Sequence, residues 1–207
     1  MKDVASIAAL IPAAGRSERM GLHKPLLPLG KTTILGEAIQ GLREAEIDEV
    51  LVVLGPSPEA FLPVLDTHRV RHVVNPHPER GMLSSILTGI GNLPGTMEAF
   101  FLLPADIPLV GSATIRLLRK AYITSRRGVV YPVYGGRRGH PPLIPLRYFD
   151  EAMPPDTPGG LRTILKRYDR EAVHVVVDDP AVRMDCDTPE DYRRLLEYYR
   201  EKAGEAN

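Results

Sequence analysis

Val50-Leu51-Val52-Val53-Leu54 is apolar at every position, so it has no face to offer water. A strand of this kind must be covered on both sides, which is the situation of a parallel strand inside a sheet flanked by helices. Gly55-Pro56-Ser57-Pro58 ends it, and the surrounding chain repeats the same alternation. An apolar run from Val4 to Ala14 reads as a buried strand. Ile34, Leu35, Ala38, Ile39 and Leu42 recur at helical spacing behind Thr32 and Thr33, either of which can cap the start. A short helix around Glu59 to Leu65 and a strand near Val70 to Val74 follow. Met82, Leu83, Ile86, Leu87 and Ile90 mark the apolar side of the next helix, which leaves Ser84 and Ser85 near its first turn with free hydroxyls. Glu98 to Leu103 is a central strand, Gly111 to Thr124 a helix and Val129 to Tyr134 a strand. Gly159-Gly160-Leu161 opens another helix. Val173 to Val177 is a last apolar strand, in which His174 reads as a satisfied core histidine. Strands alternating with helices along the whole chain predict an α/β fold with a doubly wound, mostly parallel central sheet and helices on both faces.

The loop that leaves the first strand carries the chemistry. Leu10-Ile11-Pro12-Ala13-Ala14-Gly15-Arg16-Ser17-Glu18-Arg19-Met20-Gly21 passes from apolar to small to cationic residues, with Lys24 close behind. Small side chains at Ala13, Ala14 and Gly15 leave main-chain N–H groups open to a polyphosphate, and Arg16, Arg19 and Lys24 can neutralise its charge. Two better-known phosphate loops are excluded by spacing. A Walker loop ending at Gly30-Lys31-Thr32 needs glycine where Pro25 stands, and proline has no N–H to offer. The dinucleotide fingerprint fails because no glycine lies between Gly15 and Gly21.

Three later segments add candidate site residues. Asp106, in Pro104-Ala105-Asp106-Ile107-Pro108, stands at the carboxyl end of a central strand, where open α/β sheets bind ligands and where a carboxylate can hold magnesium. In Gly135-Gly136-Arg137-Arg138-Gly139-His140-Pro141-Pro142, glycines permit a tight return and two arginines can meet anionic groups. Asp185-Cys186-Asp187-Thr188-Pro189-Glu190-Asp191 combines two carboxylates with a helix start, Thr188 as cap and Pro189 at the first helical position. Each has a plain structural alternative: a turn aspartate, a solvated hairpin tip and a capping pair. Asn75 before Pro76 is likewise a common turn, and a serine near a helix start is often a cap. His68 and His72 have zinc-ligand separation for a helix, but the stretch reads as strand.

Together these motifs resemble nucleotidyltransferases related to the molybdenum cofactor cytidylyl- and guanylyltransferases, over nearly the whole chain. The resemblance implies a three-layer Rossmann-like nucleotidyltransferase fold and magnesium-dependent transfer of a nucleotidyl group to a phosphorylated acceptor. It implies that Ala13, Ala14, Gly15, Arg16 and Lys24 hold the triphosphate, with Asn75 and Ser85 near base or ribose. Asp106 and Asp187 would hold the metal, Asp185 being the rival of Asp187, while Arg137, Gly139 and His140 would meet the acceptor. Ala-Ala-Gly in the loop resembles the cytidine users, pointing to CTP. Gly139-His140-Pro141 resembles the acceptor side of the molybdopterin cytidylyltransferases, which makes a molybdenum hydroxylase the prospective recipient. Related enzymes acting on methylerythritol phosphate or sugar acids, and a non-catalytic cofactor carrier, are the competing readings.

At 207 residues the chain suits one domain, 1–207, with the polar tail after Tyr199 expected to fray. Lysine plus arginine and aspartate plus glutamate both number 26, so no net field draws it to nucleic acid or an anionic membrane. A single cysteine, Cys186, excludes an internal disulfide and fits a reducing, cytoplasmic setting.

Overall fold

In the computed structural model, which describes residues 5–15, 23–149 and 153–204, the first strand β1 (Ile7–Pro12) is buried from Ile7 to Ile11. It lies between two parallel neighbours, β4 (Glu49–Leu54) and β6 (Ala99–Leu102), in a register that sets Leu10 beside Leu51 and Leu102. Outside β4 lies β5 (Arg71–Val74), again parallel. Beyond β6 come β9 (Leu143–Pro145), β7 (Val130–Tyr134) and the edge strand β10 (Val173–Val176), with the two-residue β8 (Arg137–Arg138) returning on β7. β9 runs antiparallel to both β6 and β7 and inserts between them. No helix separates β7 from β9, and only an antiparallel partner can be reached by so short a connection. Three residues are too few to show a period, which is why this strand escapes sequence reading. A separate hairpin, β2 (Pro28–Leu29) with β3 (Thr32–Thr33), stands outside the sheet.

Alternate residues of β1 serve opposite faces. Ala9 and Ile11 pack with Leu35, Ile39 and Leu42 of α1 (Ile34–Glu44) and with Ile115 and Leu118 of α4 (Ser112–Ser125). Ala8 and Leu10 pack with Ile86 of α3 (Met82–Ile90) and, farther along, Leu161 and Leu165 of α5 (Gly160–Lys166). Helices therefore cover both faces, and the three-layer expectation holds. Thr33 caps α1, its hydroxyl accepting from the Gly36 N–H at 3.1 Å. α2 (Leu62–His68) precedes β5, so His68 ends a helix and does not lie in a strand; its ring nitrogen is 3.3 Å from the Thr32 hydroxyl.

At the carboxyl-terminal side α6 (Pro189–Gly204) continues past Tyr199: Lys202 Nζ donates to the Leu109 carbonyl at 3.1 Å, and Leu195 is buried among Leu29, Ile34 and Cys186. One expectation is corrected there. His174 is no core residue, because β10 is an edge strand; it is exposed and accepts from Arg138 Nε at 2.8 Å. Among the described residues, no helix is long and apolar enough to cross a membrane.

The β8–β9 connection is pinned both to β7 and to the segment before α6. Gly139 N–H donates to Pro132 O at 2.8 Å and His140 N–H to Val182 O at 2.7 Å. A Cβ on Gly139 would stand 2.6 Å from the Val182 carbonyl oxygen, a backbone atom that cannot swing aside. Gly139→Ala is therefore expected to cost about 1–3 kcal/mol of stability, read as a lower urea midpoint at unchanged m-value.

Candidate active site

The carboxyl ends of β1 and β6 meet in a cavity of about 450 Å³. β1 is prolonged by one residue, the Ala13 N–H donating to Val53 O at 2.8 Å, before Ala14 and Gly15 turn along the cavity wall. Ala13 and Ala14 are buried and Gly15 is exposed. Arg16 and Arg19, named above for phosphate, lie outside the described residues. The chain returns at a single 3-10 turn, Lys24–Leu26, closed by the Leu27 N–H on Lys24 O at 3.0 Å, with Pro25 at its buried side. That turn holds Lys24 at the cavity.

Opposite Lys24 are two carboxylates from distant parts of the chain. The Leu103 N–H donates to Leu10 O at 3.0 Å, which keeps the chain beside β1 until the turn that presents Asp106. The Cys186 N–H then donates to the Asp106 carbonyl at 3.0 Å, stapling the segment 185–187 to that turn. Cys186 faces the core while Asp187 joins Asp106 in the cavity wall. Asp185 is exposed and does not line the cavity, so Asp187 is the carboxylate placed with Asp106. Lys24 Nζ bonds Asp187 Oδ1 at 2.9 Å, the lysine side chain being 12% exposed and the aspartate 57%.

Burial pushes the Asp106 carboxyl above its usual range, and the charges of Asp187 and Asp185 push it the same way, while its own backbone N–H and Lys24 pull it down. Among the described lining residues, two carboxylates, Asp106 and Asp187, stand with one ammonium, that of Lys24. Among the described residues no cluster of three or more His, Cys, Asp or Glu side chains can ligate a metal. Two carboxylates with open coordination positions fit a hard divalent ion that keeps waters and takes phosphate oxygens, and do not fit a closed zinc cage.

The opposite wall is built by α3 and the turn before it. Asn75, expected near base or ribose, is 2% exposed, with hydrogen bonds at both ends of its amide. Its amide nitrogen donates to the hydroxyls of Ser84 at 2.8 Å and Ser85 at 2.9 Å, and its carbonyl oxygen accepts from the His77 N–H at 2.9 Å. The serine hydroxyls are thus not free acceptors. Ser84 lies inside this network, 2.8 Å from Gly81 O, and Ser85 alone reaches the cavity, its oxygen oriented by Asn75. Asn75 shapes the wall from behind.

Of the residues expected to meet an acceptor, none lines the cavity. Arg137 is exposed on the β7–β8 hairpin and Gly139 is packed against Val182. His140 has a buried Nδ1 without a hydrogen-bond partner, and desolvation lowers its pKa. Arg138, by contrast, is tied up: it pairs with Asp169 at 2.7 Å and lies 4.3 Å over the Tyr131 ring.

Sequence reasoning missed Pro12, Pro78, Gly81, Met82 and Pro104 as wall residues. Prolines and glycine carry no functional group to advertise the role. Met82 was hidden in the apolar stripe of α3, where only the position of the sheet's end tells a core residue from a cavity residue.

Residues 9–173 match the MobA-like NTP transferase domain. The chain is 27% identical over 198 residues to the molybdenum cofactor cytidylyltransferase of Escherichia coli (strain K12), covering 96% of this chain and 100% of that protein. Among solved structures it resembles Rv0371c of Mycobacterium tuberculosis H37Rv, at TM-score 0.79 and 29% identity, covering 94% of this chain and 98% of the other. A manganese complex of Rv0371c superposes at TM-score 0.74 and 26% identity, covering 94% and 99%. With the family match spanning most of the sheet, the loop after β1, Lys24, the start of α3 and Asp106, this chain belongs to the family of MobA-like NTP transferase domains, and it is a nucleotidyltransferase.

Proposed function

We propose that the chain transfers CMP from CTP to a phosphorylated acceptor, with molybdopterin-bound molybdenum the favoured acceptor, and releases pyrophosphate. The observation that carries this is the convergence of Lys24, Asp106 and Asp187 on the small-residue loop 13–15 in one cavity. The naming of the Escherichia coli relative supports the choice of cytidine and of the molybdenum cofactor.

In this reading an ionised phosphate oxygen of the acceptor attacks the α-phosphorus in line, and the bond to pyrophosphate breaks. Such a nucleophile needs no strong general base, and no histidine lines the cavity among the described residues. The protein's part is alignment and charge placement. Main-chain groups of Ala13 to Gly15 hold the triphosphate, and Lys24 takes up charge on the departing pyrophosphate, with Arg16 proposed beside it. Asp106 and Asp187 hold magnesium, which when bound neutralises charge developing on the phosphate oxygens. Ser85 faces the nucleoside. Arg137 and His140 are the residues proposed for the acceptor, with Gly139 setting the path of the chain between them. Cytoplasmic synthesis and delivery to a molybdenum hydroxylase belong to the same reading.

Pyrophosphate release, measured with each of the four nucleoside triphosphates, magnesium and molybdopterin, tests it. The expected result is acceptor-dependent release with CTP well above GTP. Release with GTP alone, or only with methylerythritol phosphate or a sugar acid, replaces the proposed substrates. No release with any pair supports a non-catalytic carrier.

A further inference from the structure

Residues 82, 85, 86 and 89 of α3 share one face of the helix, the i, i+3, i+4, i+7 rows. Followed from its carboxyl end, that face packs progressively off the sheet. Gly89 sits so close that a Cβ would meet Leu10 Cδ2 at 2.4 Å and Val53 Cγ2 at 3.0 Å. Ile86 and Ser85 are buried, but Met82, next along the same face, is 56% exposed. Its row of contacts outruns the sheet, because β1 has already ended at Pro12 and the cavity begins there. Two other large apolar side chains are comparably exposed among the described residues, Leu117 and Val176, and neither lines the cavity.

The surroundings of Met82 narrow what it touches. Its neighbours in the wall, Pro78 and Gly81, carry no charge, whereas Lys24, Asp106 and Asp187 make the ionic side of the same cavity. Gly81, at φ +90°, has nothing within 4 Å of the place a Cβ would occupy, so the wall is open at the residue before Met82. An exposed, unbranched, polarisable side chain beside an open slot suits the face of a flat ring.

We infer that Met82 is the apolar surface on which the base of the bound nucleotide lies, continuing into the ligand the row of contacts that α3 makes with the sheet. The inference rests on the nucleotide-transfer reading above, since the triphosphate occupies the ionic side and leaves the apolar side to the base. A thioether offers shape and polarisability and no donor pattern. Met82 therefore contributes affinity for pyrimidine and purine nucleotides alike, and selection of cytosine falls to groups at the ring edge.

Equilibrium binding of α,β-methylene analogues of CTP and GTP, with magnesium and no acceptor, tests this beside inorganic tripolyphosphate, which has no base. Met82→Ala is expected to weaken both nucleotides by roughly 10-fold, the scale of one lost apolar side-chain contact. It should leave the CTP-to-GTP ratio, tripolyphosphate binding and thermal unfolding unchanged, and Met82→Leu should restore most of the affinity. Nucleotide binding equal to that of the parent overturns the inference, as does an equal loss for tripolyphosphate, which would make Met82 a determinant of loop shape. If the parent itself binds nucleotides no better than tripolyphosphate, the nucleotide-transfer reading fails first.

Discussion

Asp106→Asn is expected to lower turnover by roughly 10²–10³-fold, the usual cost of removing one placed group that stabilises charge at a reacting phosphate or carbonyl. The same substitution is expected to stabilise the ligand-free protein at neutral pH. The reason is the direction of the Asp106 shift: burial comes first, then repulsion from Asp187 and Asp185, and both disfavour the charged form. A carboxyl whose pKa is raised by folding favours the folded state below its unfolded value, and that contribution is lost as pH rises through the raised folded value. Asparagine carries no charge at either end of that window. Urea midpoints of variant and parent should therefore converge in acid and separate above the raised Asp106 range, with the variant higher. A variant that keeps parental turnover removes Asp106 from the chemistry. A variant no more stable than the parent at neutral pH means that Lys24 and the backbone N–H already balance the buried charge.

Asp179→Ala carries the largest expected loss of stability. Asp179 is buried, and its carboxylate accepts three bonds: from the Gly111 N–H at 2.8 Å, the Thr114 hydroxyl at 2.7 Å and the Ala181 N–H at 3.1 Å. Gly111 is the residue before α4 and has no side chain with which to cap it. A carboxylate from 68 positions along the chain does so instead, which also suits the positive end of the helix. Alanine leaves these donors in a site with little access to water, at about 1–3 kcal/mol for each buried donor left unsatisfied. The total expected is about 2–5 kcal/mol, measured as a fall in the urea midpoint. A loss below about 1 kcal/mol would show that water replaces the carboxylate. Turnover of the folded fraction should fall less than in Asp106→Asn, because Asp179 supports the chain that follows Asp106 and does not line the cavity.

The parts of the fold that could be read from the chain are those with a local physical signature. β4 shows in five consecutive apolar residues, α1 in its 3.6-residue period and its Thr33 cap, and α6 in the Thr188 box, where Thr188 and Asp191 bond each other's backbone N–H groups. β9 and the edge position of β10 have no such signature, since both depend on which strand the hairpin inserts beside. The site divides along the same line. Lys24, Asp106 and Asp187 were legible because charge in an otherwise apolar context is conspicuous. That Asn75 bonds Ser84 and Ser85 was not legible, because an amide can serve a ligand or a helix start equally well. Met82 was read as core, which it would be had β1 run one turn further.

Lys24 and Asp187 share a 2.9 Å bond at the cavity. In the proposed reading, a triphosphate that draws the Lys24 ammonium towards itself would leave the Asp187 carboxylate open to the ion, and an ion on Asp187 would leave the ammonium open to the triphosphate. Ion and nucleotide would then assist one another's entry to the same degree, by thermodynamic reciprocity.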